Sequence, residues 1–167
     1  MVKVGFTPIF RRAQLCYHSP MIIRVLIADD YPAVRGGLKS ILSKAADIEL
    51  VGEAADGQEA VRLAQQLQPD VVVLDITMPR LNGIQAIAQL RRAGVATEVV
   101  ILSVHNEEAL VQQALQHGAM GYVLKNSSTA ELVEAVRAVQ RGQTFFSSNL
   151  HLPGGTLISS DKRPIFS

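Results

Sequence analysis

The sequence predicts a doubly wound α/β domain built on a five-stranded parallel sheet. Short apolar runs alternate with amphipathic helical stretches through residues 22–142, the pattern of strand-helix units that close into a parallel sheet. One of these runs, Val71-Val72-Val73-Leu74, has no polar alternation at all, as a strand covered on both faces requires. Polar residues with chemical potential stand just after several of the runs, at the carboxyl strand ends where such sheets gather their functional groups.

The elements follow in order. Residues 22–28 read as a buried strand. Residues 32–46 read as a helix with Val34, Leu38, Ile41 and Leu42 on one face and Pro32 in its first turn. A shorter strand at 48–53 leads through the turn signal Asp56-Gly57 into a helix at 58–67. The strand at 71–74 is bounded by Pro69-Asp70 and Asp75; a loop at 79–83 and a helix to about residue 92 come next. A strand at 99–102, a helix at 107–117, a strand at 122–124 and a helix at 129–141 complete the set. Thr129, with Glu131 and Glu134 behind it, reads as a capped, acidic helix start. Helical connections between parallel strands make the crossovers right-handed.

Composition narrows the function. The chain has 167 residues, 48% of them hydrophobic and 19% charged, enough apolar material for one ordinary domain with a real core. Tryptophan is absent and aromatics are 5%, so that core must be aliphatic. A net charge of +1 gives no general drive toward nucleic acid or an anionic membrane. Cys16 is the only cysteine, which excludes an intrachain disulfide and suits a cytoplasmic setting. No apolar run approaches the roughly 20 residues of a membrane helix. Residues 1–20 carry Lys3, Arg11 and Arg12, no acid, and apolar stretches broken by Gly5 and Pro8. They lack the apolar run of about 7 to 15 residues of a secretory signal. The expectation is a disordered leader or a start-site artefact, with Met21 the natural start. Residues 143–167 lose the periodicity, and Pro153-Gly154-Gly155 and Ser159-Ser160 are loop-like, so a mostly disordered tail is expected there.

Position alone selects the candidate site. The first strand ends in Asp29-Asp30, the third in Asp75, the fourth in Ser103 and the fifth in Lys125. Singly, each has a plain explanation: Asp30 as a helix cap, Asp75 as a turn residue, Ser103 as a cap, Lys125 as a solvated charge. Together, at the ends of different strands, they converge on one crevice. Carboxylates about 4 Å apart repel by roughly 4 kcal/mol per pair at an effective dielectric near 20. Lys125 and a divalent cation are the natural counter-charges, and hard oxygen donors favour Mg²⁺ over zinc. Such a group beside a hydroxyl and an ammonium is equipment for phosphoryl transfer, with Asp75 as nucleophile. Asp56-Gly57 reads as a turn only; His18, His105, His117 and His151 lack metal spacing and read as structural or surface residues.

Four segments then carry a family resemblance: Val25-Leu26-Ile27-Ala28-Asp29-Asp30; Val72-Val73-Leu74-Asp75-Ile76-Thr77-Met78-Pro79 with Asn82-Gly83; Ile101-Leu102-Ser103; and Gly118-Ala119-Met120-Gly121-Tyr122-Val123-Leu124-Lys125. In combination they resemble the receiver domain of two-component response regulators over residues 21–142, with its flavodoxin-like, CheY-like (βα)5 fold. The resemblance implies that Asp75 accepts phosphate from a sensor histidine kinase. It implies that Asp29, Asp30 and Asp75 hold Mg²⁺ with the backbone carbonyl of Thr77. It gives Lys125 contact with the phosphoryl group, makes Ser103 the hydroxyl that moves to it, and makes Tyr122 the aromatic switch. Asn126 stands where most receivers have proline, which argues against a cis peptide at that position. Lys125-Asn126-Ser127-Ser128 followed by Glu131-Leu132-Val133 is similar to the NarL/FixJ-like branch, whose members carry a helix-turn-helix output domain. Such a module needs roughly 60 further residues with its own amphipathic helices. The tail lacks that pattern, so the expectation is a truncated transcriptional regulator or a stand-alone receiver, possessing no direct nucleic-acid contact of its own and no membrane partner. A homodimer through the last two helices and fifth strand is expected.

Three rival readings remain at this point. An aspartyl-phosphate hydrolase of the haloacid-dehalogenase type also attacks with an aspartate after an apolar strand, but needs a second acid where Thr77 stands. A flavodoxin-type flavin module wants a hydroxyl- and glycine-rich phosphate loop where Asp29-Asp30 would repel the ligand. A phosphorylation-independent, partner-binding receiver keeps the fold without the chemistry.

Overall fold

Strand β3, Val71–Asp75, is the spine of the molecule, and all five of its residues are buried. The computed structural model describes residues 21–150. Around β3 run β1 (Ile23–Ala28), α1 (Pro32–Ser43), β2 (Ile48–Ala54), α2 (Gly57–Leu67), α3 (Gly83–Arg92), β4 (Glu98–Ser103), α4 (Glu108–Gln116), β5 (Gly121–Leu124), α5 (Thr129–Gln140) and β6 (Phe145–Phe146). The sheet order is β2-β1-β3-β4-β5-β6, and every pairing is parallel.

The unbroken apolar runs divide by strand alternation into two cores. Val72 and Leu74 of β3 join Leu26 and Ala28 of β1 under α2, α3 and α4, through Ala60, Ala64, Ile87, Leu90 and Val111. Val71 and Val73 face the other way with Val25 and Ile27, under α1 and α5, through Leu38, Leu42, Leu132, Val136 and Val139. At about 25 cal/mol per Å² of apolar surface removed from water, this two-sided burial is the main force closing the fold.

The sheet has six strands rather than the five expected. Phe145 and Phe146 pair with Gly121 and Tyr122 of β5, and Leu150 behind them is also buried. The sequence signal was too short to register, because two adjacent aromatics show neither alternation nor helical period. The folded unit therefore runs beyond residue 142 into the segment read as tail. The remainder of that segment, 151–167, and the leader 1–20 lie outside the described residues. α1 ends at Ser43, before residue 46, and its N-cap is Tyr31, not Asp30. The N-cap of α5 is Ser128 in place of Thr129, and no side chain caps that helix end; Glu131 does sit in its first turn. Among the described residues no peptide bond is cis, Lys125–Asn126 included.

The strand order β2-β1-β3 is the topological feature that matters for function. The chain turns back on itself between β1 and β3, which opens a crevice outside their carboxyl ends.

Candidate functional site

Asp29 follows the last residue of β1 and is 0% exposed. Each of its oxygens is engaged. Oδ1 accepts from the Tyr31 N–H at 2.9 Å, Oδ2 accepts from Lys125 Nζ at 2.8 Å, and the backbone carbonyl accepts from Arg35 Nη1 at 2.6 Å. Asp75 closes β3; its Oδ2 accepts from the same Lys125 Nζ at 3.1 Å and its Oδ1 from the Thr77 N–H at 3.2 Å. Asp30 stands apart: its Oδ1 is buried and has no hydrogen-bond partner. One ligand oxygen from each of Asp29, Asp30 and Asp75 lies within 4.8 Å of the others.

Two of the three carboxylates thus share one ammonium, and burial beside a neighbouring negative charge shows in the titration behaviour. Burial pushes the Asp75 carboxyl above its ordinary value, and the charge of Asp29 adds to this, while the hydrogen bond and charge of Lys125 work against it. Burial also disfavours the charged Lys125, but its hydrogen bonds to Asp29 and Asp75 outweigh that cost and hold the ammonium on. An orphaned buried carboxylate oxygen, an excess of negative charge and an all-oxygen donor set together fit a hard divalent cation.

The hydroxyl side of the crevice is built on β4 and β5. Ser103, 0% exposed, accepts the Lys125 N–H on its carbonyl at 2.8 Å and the His105 N–H on its Oγ at 3.0 Å. Tyr122 lies wholly inside the molecule, and its hydroxyl donates to the His105 carbonyl at 2.7 Å. Burial raises the Tyr122 phenol above its ordinary value, so it stays a donor. The His105 ring sits 3.5 Å from Thr77 Oγ1 and from Glu107 Oε2, bridging the β3–α3 and β4–α4 loops.

The structure therefore brings together all the residues selected from strand ends, with Thr77 and Tyr122 beside them. It also supplies groups that the sequence reading passed over. Arg35 clamps the Asp29 carbonyl and pairs with Glu53 at 3.4 Å. The backbone of His105 ties Ser103 to Tyr122. Asp56 is more than a turn: it caps α2 through the Glu59 N–H at 2.9 Å and pairs with Arg80 of the β3–α3 loop. Gly57 is required because an added Cβ would collide with the Leu81 carbonyl of that loop, and Gly83 because one would collide with the Asp75 carbonyl. Such packing depends on which loops meet in space, and spacing along one chain carries no signal for it.

A parallel sheet of this order, with an acidic trio and a lysine at its carboxyl edge, has the arrangement of a receiver fold. The chain belongs to the response regulator receiver domain family, whose model matches residues 25–137. It is 38% identical over 126 residues to the nitrate/nitrite response regulator protein NarL of Escherichia coli, covering 75% of this chain and 58% of that protein. It is 40% identical over 124 residues to the transcriptional regulatory protein YxjL of Bacillus subtilis, covering 74% of this chain and 57% of that protein. The chain thus spans less than two thirds of these relatives' length. Among solved structures, the receiver domain of the response regulator NarL from Mycobacterium tuberculosis superposes with a TM-score of 0.72 at 41% identity, over 74% of this chain and 100% of that one. The receiver domain of RcsB from Salmonella enterica, in the presence of a beryllofluoride phosphomimetic, gives 0.69 at 28% identity, over 75% and 93%. Among the described residues no helix is long and apolar enough to cross a membrane.

Proposed function

We propose that Asp75 accepts a phosphoryl group from a phosphohistidine of a sensor kinase, and that the resulting charge switches a partner-binding face of the domain. One carboxylate oxygen of Asp75 forms the new P–O bond, the P–N bond to the kinase histidine breaks, and the imidazole leaves with the bonding pair. The observation that most supports this reading is the position of Lys125 Nζ, 3.1 Å from Asp75 Oδ2 and 2.8 Å from Asp29 Oδ2. An ammonium held there neutralises oxygens of an incoming phosphoryl group without having to be moved.

Asp29, Asp30 and Asp75, with the backbone carbonyl of Thr77, would hold Mg²⁺; bound there, it would supply charge neutralisation for the phosphoryl group and a fixed orientation. Ser103 Oγ accepts from the His105 N–H, and on phosphorylation its hydroxyl would turn to donate to a phosphoryl oxygen on Asp75. Tyr122 keeps its hydroxyl on the His105 carbonyl, so a shift of the β4–α4 loop toward the phosphoryl group carries the aromatic ring with it. The face formed by α4, β5 and α5 then changes its affinity for a partner, a second copy of the domain included. Moving a two-state equilibrium from 1:99 to 99:1 takes about 5.5 kcal/mol. Two to four hydrogen bonds to a charged group, at roughly 1.5 to 3 kcal/mol each, are of that size.

On this reading the chain works in the cytoplasm, turns over only its own phosphorylation and dephosphorylation, and serves transcriptional control as the name of its Bacillus subtilis relative indicates. The test is exposure to acetyl phosphate, or to beryllofluoride with Mg²⁺, followed by intact mass and amide spectra. The wild type gains one phosphoryl group and shows shifts at Ser103 and Tyr122, while Asp75→Asn shows neither. An equal response from the two proteins would remove Asp75 from the role.

A further inference from the structure

β6 is two residues long, yet the serine that follows it, Ser147, is only 3% exposed. Ser147 donates its N–H to the Tyr122 carbonyl at 3.0 Å. Its Oγ accepts the Leu124 N–H at 2.9 Å and shares a further 2.9 Å hydrogen bond with Ser127 Oγ. The strand ladder stops at Tyr122 and Phe146, and the serine hydroxyl supplies the acceptor that Leu124 takes beyond it. Ser127 in turn donates its N–H to the Leu124 carbonyl at 2.9 Å.

Lys125 lies inside this set of bonds. Its N–H is held from β4 by the Ser103 carbonyl at 2.8 Å, while Leu124 before it and Ser127 two residues after it are held by Ser147, just beyond β6. The turn that carries the ammonium is therefore gripped on both sides. The segment supplying the outer grip is itself anchored, with Phe145, Phe146 and Leu150 buried and Ser148 donating its N–H and hydroxyl to Glu131 Oε1 at 3.2 and 2.9 Å.

We propose that Ser147 is a positioning residue for Lys125, and that the chain segment leaving the sheet at β6 is coupled through it to the occupancy of Asp75. The proposal rests on the phosphoacceptor reading of Asp75. Coupling between two sites is reciprocal. A grip that holds Lys125 ready for the phosphoryl group is strengthened, by the same factor, when that group is present.

The experiment measures the dissociation constant of beryllofluoride, with saturating Mg²⁺, on the whole chain and its variants. Ser147→Ala is expected to weaken binding by roughly fivefold, the equilibrium factor of one typical net hydrogen bond, and Ser147→Thr, which keeps the hydroxyl, to restore most of it. A residue serving only stability would lower the urea midpoint in Ser147→Ala and leave this constant within twofold of wild type; that result overturns the proposal. A second measurement needs no variant. Exchange of the Leu124 amide in the wild type is expected to slow when beryllofluoride binds, and an unchanged rate overturns the proposal even if Ser147→Ala does not fold. Failure of the wild type to bind beryllofluoride at all would instead sink the phosphoacceptor reading, and this proposal with it.

Discussion

The two ends of the sheet use the same kinds of residue in opposite ways. At the amino end, Arg137 of α5 grips Asp47 with Nε at 2.9 Å and Nη2 at 3.0 Å. Asp70 Oδ2 accepts the Arg24 N–H at 2.9 Å, and Arg91 spends its guanidinium on the carbonyls of Thr97 and Gly118 at 2.7 and 3.1 Å. Each charge named there has its own partner. At the carboxyl end Asp29 and Asp75 share one lysine, and a buried oxygen of Asp30 beside them has no hydrogen-bond partner. The first arrangement fastens helices and loops to the sheet. The second leaves an unbalanced charge that a proton or a further ligand can relieve, which is how a site differs from a brace made of the same side chains.

The largest effect that separates the ends is expected from Lys125→Met. Removing the shared cation strands two buried carboxylates, so unfolding in urea with EDTA should show a loss of about 3 kcal/mol or more. Saturating Mg²⁺ should return much of it, whereas the loss from Arg137→Met should not respond to Mg²⁺. Equal Mg²⁺ dependence in the two variants would erase the distinction drawn here.

Next in size is the dependence on pH, which should run in opposite directions at the two ends. The hydrogen bonds from Arg137 hold Asp47 below its ordinary value of 3.8, against a smaller effect of burial. Its contribution to stability is therefore present above that ordinary value and is lost as pH falls through the lower folded one. Asp75 is held above its ordinary value of 3.8, chiefly by burial. Its contribution is complete below the ordinary value and is lost as pH rises through the higher folded one. In metal-free urea titrations, Asp47→Asn should flatten the acid-side rise in stability, by less than about 1 kcal/mol because the pair is partly solvated. Asp75→Asn should instead raise stability relative to wild type as pH climbs past the ordinary carboxylate range. Slopes of the same sign would refute the assignment.

How much of this was legible in the sequence follows from the range over which each signal acts. The run Val71-Val72-Val73-Leu74 announced a strand buried on both faces, and it is one, because burial on two sides leaves no room for polar alternation. Asp29, Asp30, Asp75, Ser103 and Lys125 could be picked out because a parallel sheet converts position at a strand's end into position in space. Where a contact joins segments with no shared period, the sequence was silent. Arg35 on the Asp29 carbonyl, the Asp56–Arg80 pair and Ser147 beside Lys125 each depend on a loop path that no local pattern encodes. The cap of α5 misled for a different reason: Ser128 and Thr129 are both good capping residues, and neither side chain makes the bond.

The smallest predicted effect has the least usual sign. Asp30 contributes a carboxylate to an already overcharged pocket, and its buried Oδ1 receives no hydrogen bond in return. Deleting it removes repulsion toward Asp29 and Asp75 together with an unsatisfied acceptor, at the cost of a few side-chain contacts. In EDTA, Asp30→Ala should be as stable as wild type or more stable by up to about 1 kcal/mol. The order should reverse with Mg²⁺. A ligand at a hundred times its dissociation constant stabilises the folded state by about 2.7 kcal/mol, and the variant loses that gain with its ligand. Crossing of the two stability curves between EDTA and Mg²⁺ is the expected observation. If Asp30→Ala is the weaker protein in EDTA as well, Asp30 is a structural acid like Asp47, and the contrast between the two ends of the sheet fails at its most exposed point.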